Sequence, residues 1–297
     1  MVTLPDSFIP VLLRLGGANR AFVTADGARR RLRENTLRPG TYGPPRRLRR
    51  DVRVEVIQDR GWPVYTVSPV SRRPSGGLIY AHGGGWVNEI APQHWRLVAD
   101  IAAGAGVAVT VPIYPLVPYG TAGETRERVV DLVRASQEAY GPTFLAGDSA
   151  GGQIVLSAAL RLRDEGITLP MTTLISPALD LTWSNPRIPD VQPTDPWLGT
   201  EGGTVFAEHW RGDLPLTDPA VSPLFGDLAG LGPLTVFTGT RDVLNPDAHL
   251  LLQKARDAGV EIAFHEKAGQ VHVYPLLPTR IGREAATEVV QSITRAL

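Results

Sequence analysis

Two glycine-rich clusters hold the residues best suited to chemistry. Gly147-Asp148-Ser149-Ala150-Gly151-Gly152 fits the pattern G-x-S-x-G. A serine between glycines suits a sharp strand-to-helix turn, where the serine backbone is strained and bulk on either side would clash. Such a turn lifts the Ser149 hydroxyl clear of the sheet and sets the positive end of a helix beneath it. At this composition the pattern arises by chance in about one chain in nine, so its neighbours decide its meaning. His82-Gly83-Gly84-Gly85 is rarer, at about one chain in 150. Three consecutive glycines leave backbone N–H groups free to converge on a developing oxyanion. A tight turn explains one or two glycines, but not three with the histidine. The N–H groups of Gly83, Gly84 and Ala150 are expected to form an oxyanion hole.

A serine nucleophile needs a general base, and the base needs an orienting carboxylate. Of the 6 histidines, His272 ends Ala268-Gly269-Gln270-Val271-His272, which reads as a loop between the last strand and the final helix. His82 belongs to the glycine cluster and reads as an orienting group for that loop. His94 and His249 fall inside expected helices and read as surface residues. His209 sits in an irregular stretch, and His265 ends an expected strand. The acid should lie just beyond an earlier strand. Thr235–Gly239 is such a strand, and Asp242 follows it. Asp247, just after Pro246, opens a helix, where capping or first-turn charge compensation is its expected work. Ser149, Asp242 and His272 then stand in the chain order serine, acid, histidine.

The elements that must position these residues alternate along the chain. Asp51–Gln58 and Trp62–Val67 read as strands, the first with apolar residues at every second position. Gly77–Ala81, Val107–Val111, Thr143–Ala146, Thr172–Ser176, Leu234–Thr238 and Val260–His265 are short apolar runs bounded by turn residues, as buried strands should be. Helices are expected at Asp26–Leu37, His94–Ala103, Thr121–Ala139, Ala150–Asp164, Asp247–Ala258 and Arg283–Leu297. Strands separated by helical stretches predict an α/β fold with a mostly parallel, doubly wound sheet. Asp180–Leu228 breaks the rhythm: it is long, rich in Pro and Trp, and holds one expected helix near Thr204–Trp210. A loop of that length in an α/β chain is usually functional. Residues 1–50 and 180–228 are expected to form a cap over a core of residues 51–179 and 229–297.

Composition excludes several other chemistries. The 297 residues carry 30 basic and 30 acidic side chains, so no net field draws the chain to nucleic acid or anionic membrane. Nine arginines between Arg29 and Arg50 read as a solvated helical face and a strand edge, since aromatic interleaving is absent. There is no cysteine, which removes thiolate nucleophiles, disulfides and metal–thiolate sites. Neither Lys254 nor Lys267 follows a glycine, so no phosphate-binding loop of the G-x-x-x-x-G-K type exists. No G-x-G-x-x-G follows a strand, H-E-x-x-H is absent, and neither a dinucleotide nor a metal is implied. No apolar run reaches the ~18 residues of a membrane span. With Asp6 before any basic residue and Pro10 breaking the apolar stretch, the N-terminus makes a poor signal peptide, and a cytoplasmic location is expected.

His82-Gly83-Gly84-Gly85-Trp86, Gly147-Asp148-Ser149-Ala150-Gly151-Gly152, Asp242-Val243-Leu244 and His272 together resemble the hormone-sensitive-lipase-like group of α/β-hydrolases, over roughly residues 50–297. The resemblance implies an eight-stranded α/β-hydrolase core under a helical cap, no cofactor, and hydrolysis by water of short- to medium-chain carboxylic esters. Trp86 would floor the acyl pocket, and Trp183, Trp197, Phe206 and Trp210 would line the cap. Members often dimerise through the last strand, and a homodimer is expected here. The alternatives are an amidase or deacetylase with the same three residues, and a non-catalytic ligand receptor on the same fold. The chain departs from the group at Tyr114-Pro115-Leu116-Val117-Pro118-Tyr119, where a bracing Arg and Glu are missing. It departs again at Gln153, which replaces the usual Asn, and at Pro246.

Overall fold

The computed structural model describes residues 4–15, 17 and 19–297; of the segment expected in the cap, residues 1–3, 16 and 18 lie outside the described residues. Eight strands form one sheet: β1 (Val52–Asp59), β2 (Trp62–Pro69), β3 (Gly77–Ala81), β4 (Ala108–Pro112), β5 (Thr143–Asp148), β6 (Thr172–Ile175), β7 (Leu234–Arg241) and β8 (Ile262–Val271). Their spatial order is β1-β2-β4-β3-β5-β6-β7-β8. The β1–β2 and β2–β4 pairs are antiparallel, and all others are parallel. Parallel neighbours need crossovers, and helices supply most of them.

Ten helices accompany the sheet among the described residues. The N-terminal segment holds α1 (Ile9–Leu15), α2 (Arg20–Val23) and α3 (Ala25–Leu37). The core holds α4 (Pro92–Ala105), α5 (Ala122–Tyr140) and α6 (Ala150–Asp164). The stretch between β6 and β7 holds α7 (Ile188–Val191) and α8 (Thr200–Trp210), and α9 (Asn245–Asp257) and α10 (Arg280–Arg295) follow. No helix among the described residues is long and apolar enough to cross a membrane.

Strand alternation sorts the core into two layers. Leu78 and Tyr80 of β3 pack with Val98 and Ile101 of α4 and with Val289 and Ile293 of α10. Ile79 and Ala81 face the other way, onto Val129 and Val133 of α5, Ile154 and Val155 of α6, and Leu251 of α9. That second layer continues through Phe206 and Trp210 of α8 to Ala28 and Leu32 of α3. Phe22 meets Phe206 edge-on, with ring centroids 5.6 Å apart. The rest of α3 presents its arginines to solvent, as with Arg29 paired to Asp26 at 2.9 Å.

Among the element boundaries that differ from the sequence expectation, two differ most. β8 runs to Val271, well past His265, because pairing with β7 continues beyond a register shift at Gly239/Arg241. Glu266, Lys267 and Ala268 carry no apolar alternation, so only the partner strand reveals that they are extended. α8 begins at Thr200, ahead of the expected Thr204, through Gly202-Gly203. Those glycines allow close approach: a Cβ on Gly202 would lie 2.3 Å from the Phe22 carbonyl oxygen.

Candidate active site

Ser149 stands between β5 and α6 with φ of 52°, a left-handed conformation that is strained for a serine. The glycines around it are required by contact. A Cβ on Gly147 would meet the Gly151 carbonyl oxygen at 2.4 Å, and one on Gly151 would meet that of Ala81 at 2.0 Å. The Ser149 N–H donates to the Ile175 carbonyl at 2.9 Å, and its carbonyl receives the N–H groups of Gln153 and Ala178. The hydroxyl is thereby carried to the sheet's C-terminal edge, where ligands bind in open α/β sheets.

Asp242 and His272 are brought together by strand register. β7 and β8 are parallel with Arg241 opposite Val271, so the residue after each strand lies beside its counterpart. His272 Nδ1 lies 2.9 Å from Asp242 Oδ2, and His272 Nε2 lies 2.9 Å from Ser149 Oγ. The carboxylate fixes the tautomer: Nδ1–H donates to Asp242, which leaves Nε2 to accept from the serine. Both side chains are buried. Burial pulls the His272 pKa down, but the charge and hydrogen bond of Asp242, then the charges of Asp195 and Asp148, raise it above the ordinary histidine value. Val273, next in the chain, has φ of 47°, and its N–H donates to Ser176 Oγ at 3.0 Å. Nothing in the sequence singled out Ser176, which holds the histidine loop from the end of β6, across β7.

The glycine loop requires one correction. The Gly83 N–H donates to Asp148 Oδ1 at 3.0 Å, so it is not free for an oxyanion. Gly84 and Gly85, with φ of 126° and 62°, line the cleft beside Ser149, and their N–H groups have no acceptor among the described residues. The N–H of Ala150 opens α6 and is free of an intrahelical partner. Of the expected donors Gly83, Gly84 and Ala150, the first is therefore occupied, and the N–H of Gly85 is open beside the other two.

Asp148 also accepts from Tyr80 Oη at 2.7 Å and lies 3.1 Å from His94 Nε2. The Ala91 N–H donates to His94 Nδ1, so the Nε2 proton is the one given to Asp148. His94 is therefore buried in this network, not on the surface as expected, whereas His249 does sit at the surface, beside Glu266. Burial pushes Asp148 up, but His94, Tyr80 and the Gly83 N–H together hold it below the usual carboxylate range. Burial, helped by His94, brings His82 down to about 4, so its ring is neutral at pH 7. The departures from the group pattern find their bracing here too: Tyr114 Oη donates to the His82 carbonyl at 2.7 Å, and the Val117 N–H to that of Trp86.

A cleft of about 230 Å³ holds Ser149 and His272, walled by Phe22, Trp197, Leu198 and Leu277. Trp197 meets the His272 ring edge-on at 5.7 Å. On its other side Ser149 opens to a pocket of about 30 Å³ lined by Trp86, Trp183, Phe206 and Leu244. Trp210 is a further correction. It is fully buried, lines none of the cavities described here, and stacks on Trp86 at 5.8 Å. Gln153 explains the pair: its Oε1 accepts from both indole N–H groups, Trp86 at 3.1 Å and Trp210 at 2.8 Å. Its Nε2 donates to the Ala220 carbonyl. A second residue escaped sequence reading, as Ser176 did. Asp195, buried, accepts the N–H groups of Trp197 at 2.7 Å, Leu198 at 3.0 Å and Val243 at 2.8 Å. Its only sequence signal was an acidic residue amid Pro and Trp.

Residues 78–276 match the alpha/beta hydrolase fold family. An acetyl-hydrolase of Streptomyces hygroscopicus is 31% identical over 259 residues, 81% of this chain and 86% of its own. LipR of Mycobacterium tuberculosis, provisionally named an acetyl-hydrolase, is 31% identical over 257 residues, 84% of this chain and 80% of its own. The crystal structure of an esterase from the bacterial hormone-sensitive lipase family superposes with a TM-score of 0.82 at 26% identity, covering 100% of this chain and 99% of that one. The chain belongs to the alpha/beta hydrolase fold family and, within it, to the hormone-sensitive-lipase-like group.

Proposed function

We propose that the protein is a serine carboxylesterase that hydrolyses short-chain carboxylic esters through an acyl-enzyme. One observation carries the reading: Asp242 Oδ2, the two nitrogens of His272 and Ser149 Oγ form an unbroken line with 2.9 Å links at the cleft. The names acetyl-hydrolase and esterase borne by relatives agree with it. His272 takes the Ser149 proton as Oγ bonds to the ester carbonyl carbon. The N–H groups of Gly84, Gly85 and Ala150 receive the charge that moves onto the carbonyl oxygen; loss of one such donor costs about 3 kcal/mol in the transition state. Asp242 holds the tautomer and stabilises the imidazolium. The C–O bond to the alcohol then breaks, and the leaving oxygen takes the proton from His272. Water repeats the path on the acyl-enzyme, releasing the acid and restoring Ser149.

The bond between His272 and Ser149 favours turnover over ligand sensing. The 30 Å³ pocket has room for about two to three heavy atoms, which suits an acetyl or propionyl group, and the larger cleft would take the alcohol portion. Residues 1–50 and 180–228 would act as the cap that closes this cleft over the core. The free edge of β8 would pair two copies in a homodimer, which light scattering in solution measures. The central test is hydrolysis of p-nitrophenyl esters from acetate to octanoate, with p-nitroacetanilide as the amide comparison. Turnover should be greatest on the shortest esters and vanish in Ser149→Ala. A folded wild type inert toward every ester would sink the reading.

A further inference from the structure

Two acidic side chains line the cleft, and whereas Asp148 braces the glycine loop, Glu89 is left unused by the reaction above. Its place is set by the glycine loop, since the Asn88 N–H just before it donates to the Gly84 carbonyl at 2.9 Å. It lies in the wall shared by two cavities: the 230 Å³ cleft with Ser149 and His272, and a side cavity of about 400 Å³. Its Oε2 is buried and accepts no hydrogen bond among the described residues. A carboxylate oxygen buried without a donor is costly, and a cation held at the side of the same carboxylate that lines the cavities would offset that cost. Burial has also raised its pKa.

The surroundings define the donor. No lysine or arginine lines either cavity. The side cavity is walled by Tyr42, Trp62, Tyr114 and Tyr119, and aromatic faces attract organic cations. The charge of Glu89 reaches that wall: after burial and Asp148, it is what raises the Tyr114 hydroxyl. The strap over residues 38–45 packs on the methylene stem of Glu89 through a glycine, for a Cβ on Gly40 would sit 3.0 Å from Glu89 Cγ.

We propose that Glu89 is the anionic determinant of an ammonium subsite, and that esters bearing a protonated amine on the alcohol portion are preferred substrates. The inference rests on ester hydrolysis at Ser149. The ammonium N–H donates to the face of the Glu89 carboxylate that lines the cavities, and its alkyl groups turn to the aromatic wall. Acyl transfer is otherwise unchanged: the bond from the acyl carbon to the amino alcohol breaks, and that alcohol takes its proton from His272.

The test compares 2-(dimethylamino)ethyl acetate, charged at pH 7, with 3-methylbutyl acetate, its neutral isostere. The charged ester is intrinsically more electrophilic, so the ratio of the two kcat/KM values in Glu89→Gln is the reference. The wild-type ratio should exceed that reference by about tenfold, mostly through KM, and Glu89→Asp should recover part of it. Independently of any variant, 2-(dimethylamino)ethanol should inhibit the wild type more strongly than 3-methylbutanol. An unchanged ratio in a folded Glu89→Gln protein, or equal inhibition by the two alcohols, overturns the subsite alone. Failure of the wild type to turn over either ester would overturn the reading of the reaction, and the subsite with it.

Discussion

The carboxylate of Asp195 accepts the Val243 N–H at 2.8 Å, which ties the stretch between β6 and β7 to the residue that follows Asp242. The same carboxylate holds the backbone of Trp197, whose ring meets His272 edge-on. Burial, and next the neighbouring Asp242 charge, push Asp195 up to about 6.

Asp195 should therefore set the acid limb of the pH profile. The base must be neutral, so activity falls as pH drops through the raised His272 pKa, and the Asp195 charge is part of what raises it. In Asp195→Asn the limb of kcat/KM should move to lower pH, giving a several-fold gain in relative activity near pH 6. A purely structural role would lower activity at every pH and leave the limb in place.

Phe206 should limit acyl length. It walls the 30 Å³ pocket with Trp86 and Trp183. Phe206→Ala should move the p-nitrophenyl ester optimum from acetate toward butyrate or hexanoate, at a stability cost of about 3 kcal/mol for the cavity left behind. An optimum that stays at acetate while the protein remains folded would place the acyl group elsewhere.

Gln153 should matter more to stability than its type suggests. Gln153→Leu strips the acceptor from two buried indole N–H groups and the donor from the Ala220 carbonyl. Each orphaned group costs about 1–3 kcal/mol, so urea unfolding should register a loss of at least about 3 kcal/mol. Indoles rescued by another acceptor would show a much smaller loss.

Asp247 predicts a stability that rises as pH falls. Burial pushes its carboxyl up to about 7; the Asn185 amide offsets part of this, and the Asp180 charge adds to it. The folded state thus binds more protons than the unfolded chain between about pH 4 and 7, and stability is lost as pH rises through that window. Asp247→Asn should raise Tm at pH 8, with the gain shrinking toward zero near pH 4. A gain of equal size at both pH values would point to packing instead.

Much of this site was legible because its parts are local. Gly147 and Gly151 announce a turn in which a Cβ would collide, and the strand that feeds it is a short apolar run. Asp242 and His272 were readable as residues just past strand ends, although their contact depends on a β7–β8 register that no local pattern states. Gly83 was misassigned because a free N–H and one given to Asp148 look the same in sequence. His94 was misplaced for a related reason: helical position shows that a residue repeats, but not that a carboxylate waits beneath it. Asp195 and Ser176 act across the fold, between residues far apart in the chain, and carry no motif, while Gln153 stood out as a departure from a motif without any sign of the two indoles it binds.

Asp148 grips the Gly83 N–H from the position immediately before Ser149. The attacking oxygen and the loop that cradles the oxyanion are thus pinned to one buried side chain, not merely to one sheet. Any movement of that side chain carries both together, so the gap that a tetrahedral carbon would fill is kept. On the proposed reaction, the spacing of nucleophile and oxyanion donors is thus fixed from within the core, while the orientation and basicity of His272 answer also to Trp197 and Asp195 of the stretch above it.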